Sequence, residues 1–366
     1  MGERLYDRKL IDQIHGKQYT INEDGLEILY KPVPDDDRPH AMDPRLYQIA
    51  AKKKSMFAQR AAAGWKLSQE RYRPDKITYD LTETEILCDE RLIPIDDDHM
   101  IDLYIYRRKD DTGVLPLMIY LHGGGMTAGD MKLYANQMKL VAERAHAAVA
   151  FPEYRLAPEC PYPGPVRDCF GTLKYLHDHA SELNIDPSRI MVAGDSAGGC
   201  LTNSCLLLDQ EHWIRKAFEL YPAVDTRNYH VVTDYQWTYD AYDFVPEQKD
   251  IAVSRIERIK GGMDKSFGTT MNLYLQNKTK ADDPMVSLVC APRDILKTLP
   301  EMVIVWSEFD FLRIQDTYAA HLLHDLGVKV RAIQYCGCDH GFLDMLGTVV
   351  QAEEICGVMA DEIKAM

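Results

Sequence analysis

Gly194-Asp195-Ser196-Ala197-Gly198-Gly199 is the segment best suited to chemistry, because it sets a hydroxyl between glycines. The apolar run Arg189-Ile190-Met191-Val192-Ala193 before it reads as a short buried strand, and the small and apolar residues from Ala197 through Leu208 open a helix. Strand, Gly-x-Ser-x-Gly, helix is the setting of a nucleophile elbow. There the serine is strained so that its hydroxyl stands clear of the backbone, and glycines such as Gly194 and Gly198 let the chain turn sharply. The chemistry expected is acyl transfer, with Ser196 as nucleophile.

Such a reaction needs donors for a developing oxyanion, and a base with an orienting acid for a weakly nucleophilic hydroxyl. Upstream, His122-Gly123-Gly124-Gly125 directly follows the buried run Leu117–Leu121. Three glycines there are poor strand builders, but they can turn backbone N–H groups toward a ligand without side chains in the way. Gly123 and Gly124 are therefore expected as oxyanion donors, with Ala197, the residue after the nucleophile, as the third. His122 is expected to orient the loop, and Gly125 and Asp195 complete the two motifs.

The acid and base should follow in the order Asp or Glu, then His, each just beyond a late strand. After Val303–Trp306 comes Ser307-Glu308-Phe309-Asp310-Phe311-Leu312-Arg313, and after Val328–Tyr335 comes Cys336-Gly337-Cys338-Asp339-His340-Gly341-Phe342. Of twelve histidines, His340 alone combines this place with a small neighbour that frees its ring. Asp310 is the expected acid. Glu308, Asp316 and Asp339 are near it in sequence, and Glu308 has the same chemistry.

Stepping outward, residues 83–93 and 100–107 read as two strands joined by a turn at Asp96-Asp97-Asp98. Apolar runs follow at Leu117–Leu121, Ala147–Phe151, Ile190–Ala193, Ala217–Tyr221, Val303–Trp306 and Val328–Tyr335. Helical stretches near 131–145, 166–182, 197–210, 314–326 and 350–364 separate or follow them. This alternation predicts an α/β fold with a mostly parallel sheet covered on both faces. Residues 1–80 are charged and helix-prone, best so from Tyr47 through Trp65 and Leu67, with a polar loop at Lys31–Asp37. The triple Lys52-Lys53-Lys54 reads as a solvated helix face. Residues 223–285 break the alternation with no strand pattern and many aromatics, among them Tyr229, Tyr235, Trp237, Tyr239, Tyr242, Phe244, Phe267 and Tyr274. An insertion this long has a functional use or is an ordinary helical layer whose aromatics are core. With residues 1–80 it would form a lid over the edge where open α/β sheets bind ligands.

Composition bounds the rest. A net charge of −15 over 366 residues argues against nucleic acid and anionic membrane surfaces. The N-terminus shows no apolar signal-peptide core, and no run approaches a membrane span. Gly2 does not start a myristoylation signal, since Tyr6 stands where Ser or Thr is required. Nine scattered cysteines point to free thiols in a reducing compartment, hence a cytoplasmic protein, and Cys336-x-Cys338 lacks the spacing and second pair of a zinc site. No metal is expected, and a homodimer is the base-rate expectation for assembly.

Together these motifs resemble the hormone-sensitive-lipase-like esterases, a branch of the α/β-hydrolase superfamily. The resemblance rests on His122–Gly125 and Gly194–Gly199, with Tyr154-Arg155-Leu156-Ala157-Pro158-Glu159, Pro161-Tyr162-Pro163, Asp283-Pro284 and His340-Gly341-Phe342 in support, over roughly residues 85–345. It implies an α/β-hydrolase fold, with an eight-stranded, mostly parallel sheet flanked by helices, and a helical cap from residues 1–80 and the 223–285 insertion on a catalytic domain of residues 81–366. It further implies cofactor-free hydrolysis of small-molecule carboxylic esters of short to medium acyl length. The chain departs from the pattern after its acid, where Phe311 replaces a proline and Ile314 a carboxylate, and at Met126, where an aromatic is usual. A serine amidase such as an arylformamidase would use the same residues. A non-catalytic small-molecule receptor on the same scaffold would lack His340.

Overall fold

The structure is a computed structural model that describes residues 3–64, 66–72, 76–96, 99–263 and 270–366. Gly2, Trp65, Asp97, Asp98 and Phe267, singled out above, lie outside the described residues.

The apolar runs form the strands expected of them. They are β3 (Ile86–Asp96), β4 (His99–Arg108), β5 (Leu115–Leu121), β6 (Ala148–Pro152), β7 (Ile185–Asp195), β8 (Ile214–Leu220), β9 (Glu301–Phe309) and β10 (Val330–Asp339). The pair β3 and β4 is antiparallel, whereas β5 through β10 run parallel, as strands linked by helical crossovers must. Every residue of β5 is buried, which is why its sequence is continuously apolar rather than alternating. Its side chains divide between two cores. Leu117, Ile119 and Leu121 face one with Leu173, Leu201 and Leu323. Met118 and Tyr120 face the other with Met138, Val141, Ile355 and Met359. Helices Gly164–Asp178, Ala197–Leu208 and Arg313–Asp325 thus cover one face, and Met131–Ala145 and Val350–Lys364 the other.

The helical reading of the first eighty residues is corrected at residues 19–31, where β1 (Tyr19–Glu23) and β2 (Leu26–Lys31) form an antiparallel hairpin. β2 joins the sheet parallel to β10, so the order is β1-β2-β10-β9-β8-β7-β5-β6-β4-β3 and the strands number ten rather than eight. The local signal was present. Asp24 and Gly25 take φ of 48° and 97°, the left-handed pair of a tight hairpin turn, between residues of high strand preference. Helix Pro44–Ala62 does form, and it packs against helix Lys249–Met263 of the insertion. Residues 223–285 carry no strand among those described.

The hairpin is tied down by charge as well as by the ladder. Lys31 Nζ lies 2.7 Å from Glu354 Oε1 on helix Val350–Lys364, and both side chains are buried. Burial alone would push the Glu354 carboxyl up, but His15, Lys31 and Tyr335 hold it below the usual carboxylate range. Removing one partner of such a pair strands the other as an uncompensated charge. Lys31→Met should therefore cost about 3–5 kcal/mol in urea unfolding. A lowered carboxyl contributes stability above its unfolded value and loses it as pH falls. The difference from the unmodified protein should accordingly be full at neutral pH and shrink below about pH 4.

Candidate active site

β7 delivers Ser196 to the middle of the C-terminal sheet edge, and helix Ala197–Leu208 departs at once. Ser196 is the turning residue, with φ 54° and ψ −115°. A non-glycine residue keeps such a conformation only where its surroundings over-determine it. Here the Ser196 N–H donates to the Leu220 carbonyl at 2.9 Å, and its own carbonyl accepts the Ala223 N–H at 3.0 Å. The helix then passes so close to β5 that a Cβ on Gly198 would lie 1.9 Å from the Leu121 carbonyl oxygen. That contact explains the glycine.

The two late strands bring up the partners. β9 and β10 are parallel neighbours with Phe309 paired to Asp339, so the next residues, Asp310 and His340, emerge side by side. His340 Nε2 lies 2.9 Å from Ser196 Oγ, and His340 Nδ1 lies 2.6 Å from Asp310 Oδ2. The second oxygen of Asp310 accepts the Leu312 N–H at 3.0 Å, which holds the carboxylate's orientation even though Phe311 stands where the related pattern has proline.

The competing carboxylates are sorted by their partners. Glu308 points the other way, accepting the Gly337 N–H at 2.7 Å and facing His40 Nδ1 at 2.8 Å, a bond that raises the His40 pKa. Asp339 is in a buried ion pair with Arg255. Asp316 is fully buried with no hydrogen-bond partner among the described residues, and burial, reinforced by Asp310 and Glu219, pushes its carboxyl well up. That environment favours the neutral acid and makes Asp316 a poor orienter of an imidazolium. Glu219, equally buried and unpartnered among the described residues, is pushed up by the same desolvation.

The glycine loop requires a correction. The Gly123 N–H donates to Asp195 Oδ1 at 2.7 Å and so is not free for an oxyanion. Asp195 also accepts the Tyr120 hydroxyl at 2.9 Å and the Tyr134 hydroxyl at 3.1 Å, so it ties the glycine loop to the serine turn. Nothing in the Gly-x-Ser-x-Gly pattern marks its x residue for this work; the contact joins residues 72 apart. Among the described residues no acceptor takes the N–H of Gly124 or Gly125, and Ala197, at the first position of its helix, has no intrahelical acceptor. Gly124 needs its φ of 128°, and a Cβ there would lie 1.9 Å from the Ala128 carbonyl oxygen. His122 stays out of the proton path. Its ring stacks on Tyr154 with centroids 4.2 Å apart, and the Tyr154 hydroxyl donates to the His122 carbonyl at 2.6 Å. Met126 is buried in the core.

The insertion's aromatics pack on the acid loop. Trp237 and Tyr229 lie 5.0 and 5.2 Å from the Phe311 ring, and Phe244 lies 5.9 Å from Phe309. Among the described residues no cluster of side chains could hold a metal ion, and no helix is long and apolar enough to cross a membrane.

Comparison with known proteins places this geometry. A family model described as alpha/beta hydrolase fold matches residues 118–344. Carboxylesterase NlhH of Mycobacterium tuberculosis is 29% identical over 301 residues, covering 81% of this chain and 88% of that protein. Lipase 2 of Moraxella sp. is 26% identical over 254 residues, and the match spans 63% of this chain but only 55% of that relative. Among solved structures, the carboxylesterase EstE1, cloned from a metagenomic library, superposes with a TM-score of 0.64 at 26% identity over 81% of this chain and 94% of that one.

The two carboxylates on β9 and just after it give a direct test. Asp310→Asn should lower ester turnover by about 10³–10⁴-fold while leaving the fold intact, because the imidazole loses its orienting charge. Glu308→Gln should stay within a few fold of the unmodified protein in the same chromogenic assay.

Proposed function

The chain belongs to the α/β-hydrolase fold family, in its hormone-sensitive-lipase-like branch, and we propose that it is a carboxylic ester hydrolase working through an acyl-enzyme on Ser196. The observation that carries this reading is the unbroken path from Ser196 Oγ to His340 Nε2 at 2.9 Å and from His340 Nδ1 to Asp310 Oδ2 at 2.6 Å.

In the first step Ser196 Oγ attacks the ester carbonyl carbon while its proton passes to His340 Nε2. The oxyanion formed is held by the N–H groups of Gly124, Gly125 and Ala197. As the tetrahedral intermediate collapses, the carbon–oxygen bond to the alcohol breaks and His340 gives its proton to the departing oxygen. Water then enters, transfers a proton to His340 Nε2 and attacks the acyl carbon. Ser196 leaves and recovers that proton, releasing the carboxylic acid. Asp310 stays ionised throughout and fixes the imidazole tautomer. The acyl chains handled are short to medium, as expected for this branch. Nine free cysteines fit a reducing compartment, and the working location is the cytoplasm.

Ser196→Ala and His340→Ala should each reduce hydrolysis of p-nitrophenyl acetate and butyrate by roughly 10⁴–10⁶-fold. Rapid quenching of the unmodified enzyme, followed by mass spectrometry, should show an acyl adduct on Ser196. Near-normal turnover by Ser196→Ala sinks the proposal. Faster cleavage of a matched amide than of the ester would move the enzyme to the amidases.

A further inference from the structure

His340 and Asp310 both lie one residue beyond the end of their strands, where the ladder no longer holds the backbone. The 223–285 insertion supplies what the ladder lacks. On helix Lys249–Met263, Arg255 forms a buried ion pair with Asp339, the residue before His340. Arg258, one turn further on the same face, donates from Nη2 to the His340 carbonyl at 2.8 Å. The acid loop is held in the same way. The buried Tyr242 hydroxyl donates to the Asp310 carbonyl at 2.7 Å, and Trp237 Nε1–H donates to the Phe311 carbonyl at 3.2 Å. Arg313, at the start of the next helix, returns the contact by donating to the Ala241 carbonyl, with its guanidinium 4.2 Å from the centre of the Tyr242 ring.

Two separate parts of one insertion thus grip the main-chain carbonyls of the two residues that must meet. A cover over the pocket would need neither carbonyl contact. We propose that Tyr242, Arg255 and Arg258 are positioning residues, which hold the backbone at Asp310 and His340 so that proton transfer to and from Ser196 is geometrically possible only while the insertion is docked. The proposal rests on the Ser196–His340–Asp310 reading given above. It makes the insertion part of the proton-transfer geometry as well as a wall of the substrate site, since undocking would release both loops together.

The test compares Tyr242→Phe, Arg258→Met, their double variant, Arg255→Met and Arg255→Lys. For each, kcat and KM on p-nitrophenyl butyrate are measured beside the thermal midpoint. Misplacing a reacting group by about an ångström costs up to about 10²-fold in rate. Tyr242→Phe and Arg258→Met should each lower kcat by about 10-fold, and the double variant by about 10²-fold, with KM and the thermal midpoint little changed. Arg255→Met leaves Asp339 with an uncompensated buried charge and is destabilised, so Arg255→Lys is its control: it restores the charge and should recover most of kcat. A rise in KM at constant kcat would reduce the insertion to a lid and overturn the proposal. So would a loss of kcat that follows the thermal midpoint and vanishes on assay at lower temperature. Ser196→Ala is assayed in parallel. Full activity there overturns the nucleophile reading itself, whereas an inactive Ser196→Ala with unaltered Tyr242→Phe and Arg258→Met overturns the positioning role alone.

Discussion

One turn carries the rest of the site: Ser196, held at a φ of 54° between the end of β7 and the first residue of the following helix. The conformation is unfavourable for a serine, so neighbouring structure has to enforce it. Enforcement comes from main-chain bonds to Leu220 and Ala223 on the adjoining strand and loop, and from the close passage of Gly198 under the Leu121 carbonyl. Those contacts hold only because β5, β7 and β8 are pinned between two cores packed on opposite faces of the sheet. The apolar runs of the sequence are therefore what permits a strained, half-buried hydroxyl at the sheet edge.

A second constraint is electrostatic. The carboxylates of Asp195, Glu219, Glu308, Asp310 and Asp316, with Asp339 beside the base, lie buried around the serine and its partners. Their environments separate them into distinct states. Asp195 is pushed up by burial while it accepts N–H and hydroxyl donors that join the glycine loop to the elbow. Glu219 and Asp316, lacking donors among the described residues, are driven toward the neutral acid. Glu308 is drawn off toward His40 and Gly337. This leaves Asp310 facing the imidazole, with its other oxygen on the Leu312 N–H. Position along β9 and depth in the protein make the choice between chemically similar side chains.

The periphery is joined to this centre by charge and hydrogen bonds as well as by apolar packing. The N-terminal hairpin reaches β10 through its ladder and through Lys31 on Glu354, while Arg4 and Tyr6 bond to the neighbouring Glu353. The insertion, from the opposite side of the chain order, bonds to the loops that follow β9 and β10. Segments on which the sequence patterns are weakest thus end on the two strands that present the acid and base.

Much of this was legible in the sequence. The strands β3 to β10, the helices between them, and the placing of Ser196, Asp310 and His340 at strand ends all follow from local periodicity and glycine punctuation, which each segment carries within its own dozen residues. Even the hairpin at Asp24-Gly25 was written locally, although the charged surroundings of residues 1–80 masked it. Other features depended on the tertiary structure. That Gly123 is spent on Asp195, that β2 pairs with a strand some three hundred residues away, that burial drives Asp316 toward the neutral acid, and that Arg258 and Tyr242 grip the two late loops all depend on which distant groups meet and how deeply they are buried. Local pattern sets the direction in which a side chain or N–H leaves its element. Its partner and its dielectric surroundings come from the packing of the whole chain, so the chemistry was readable from sequence while its fine assignment to atoms was not.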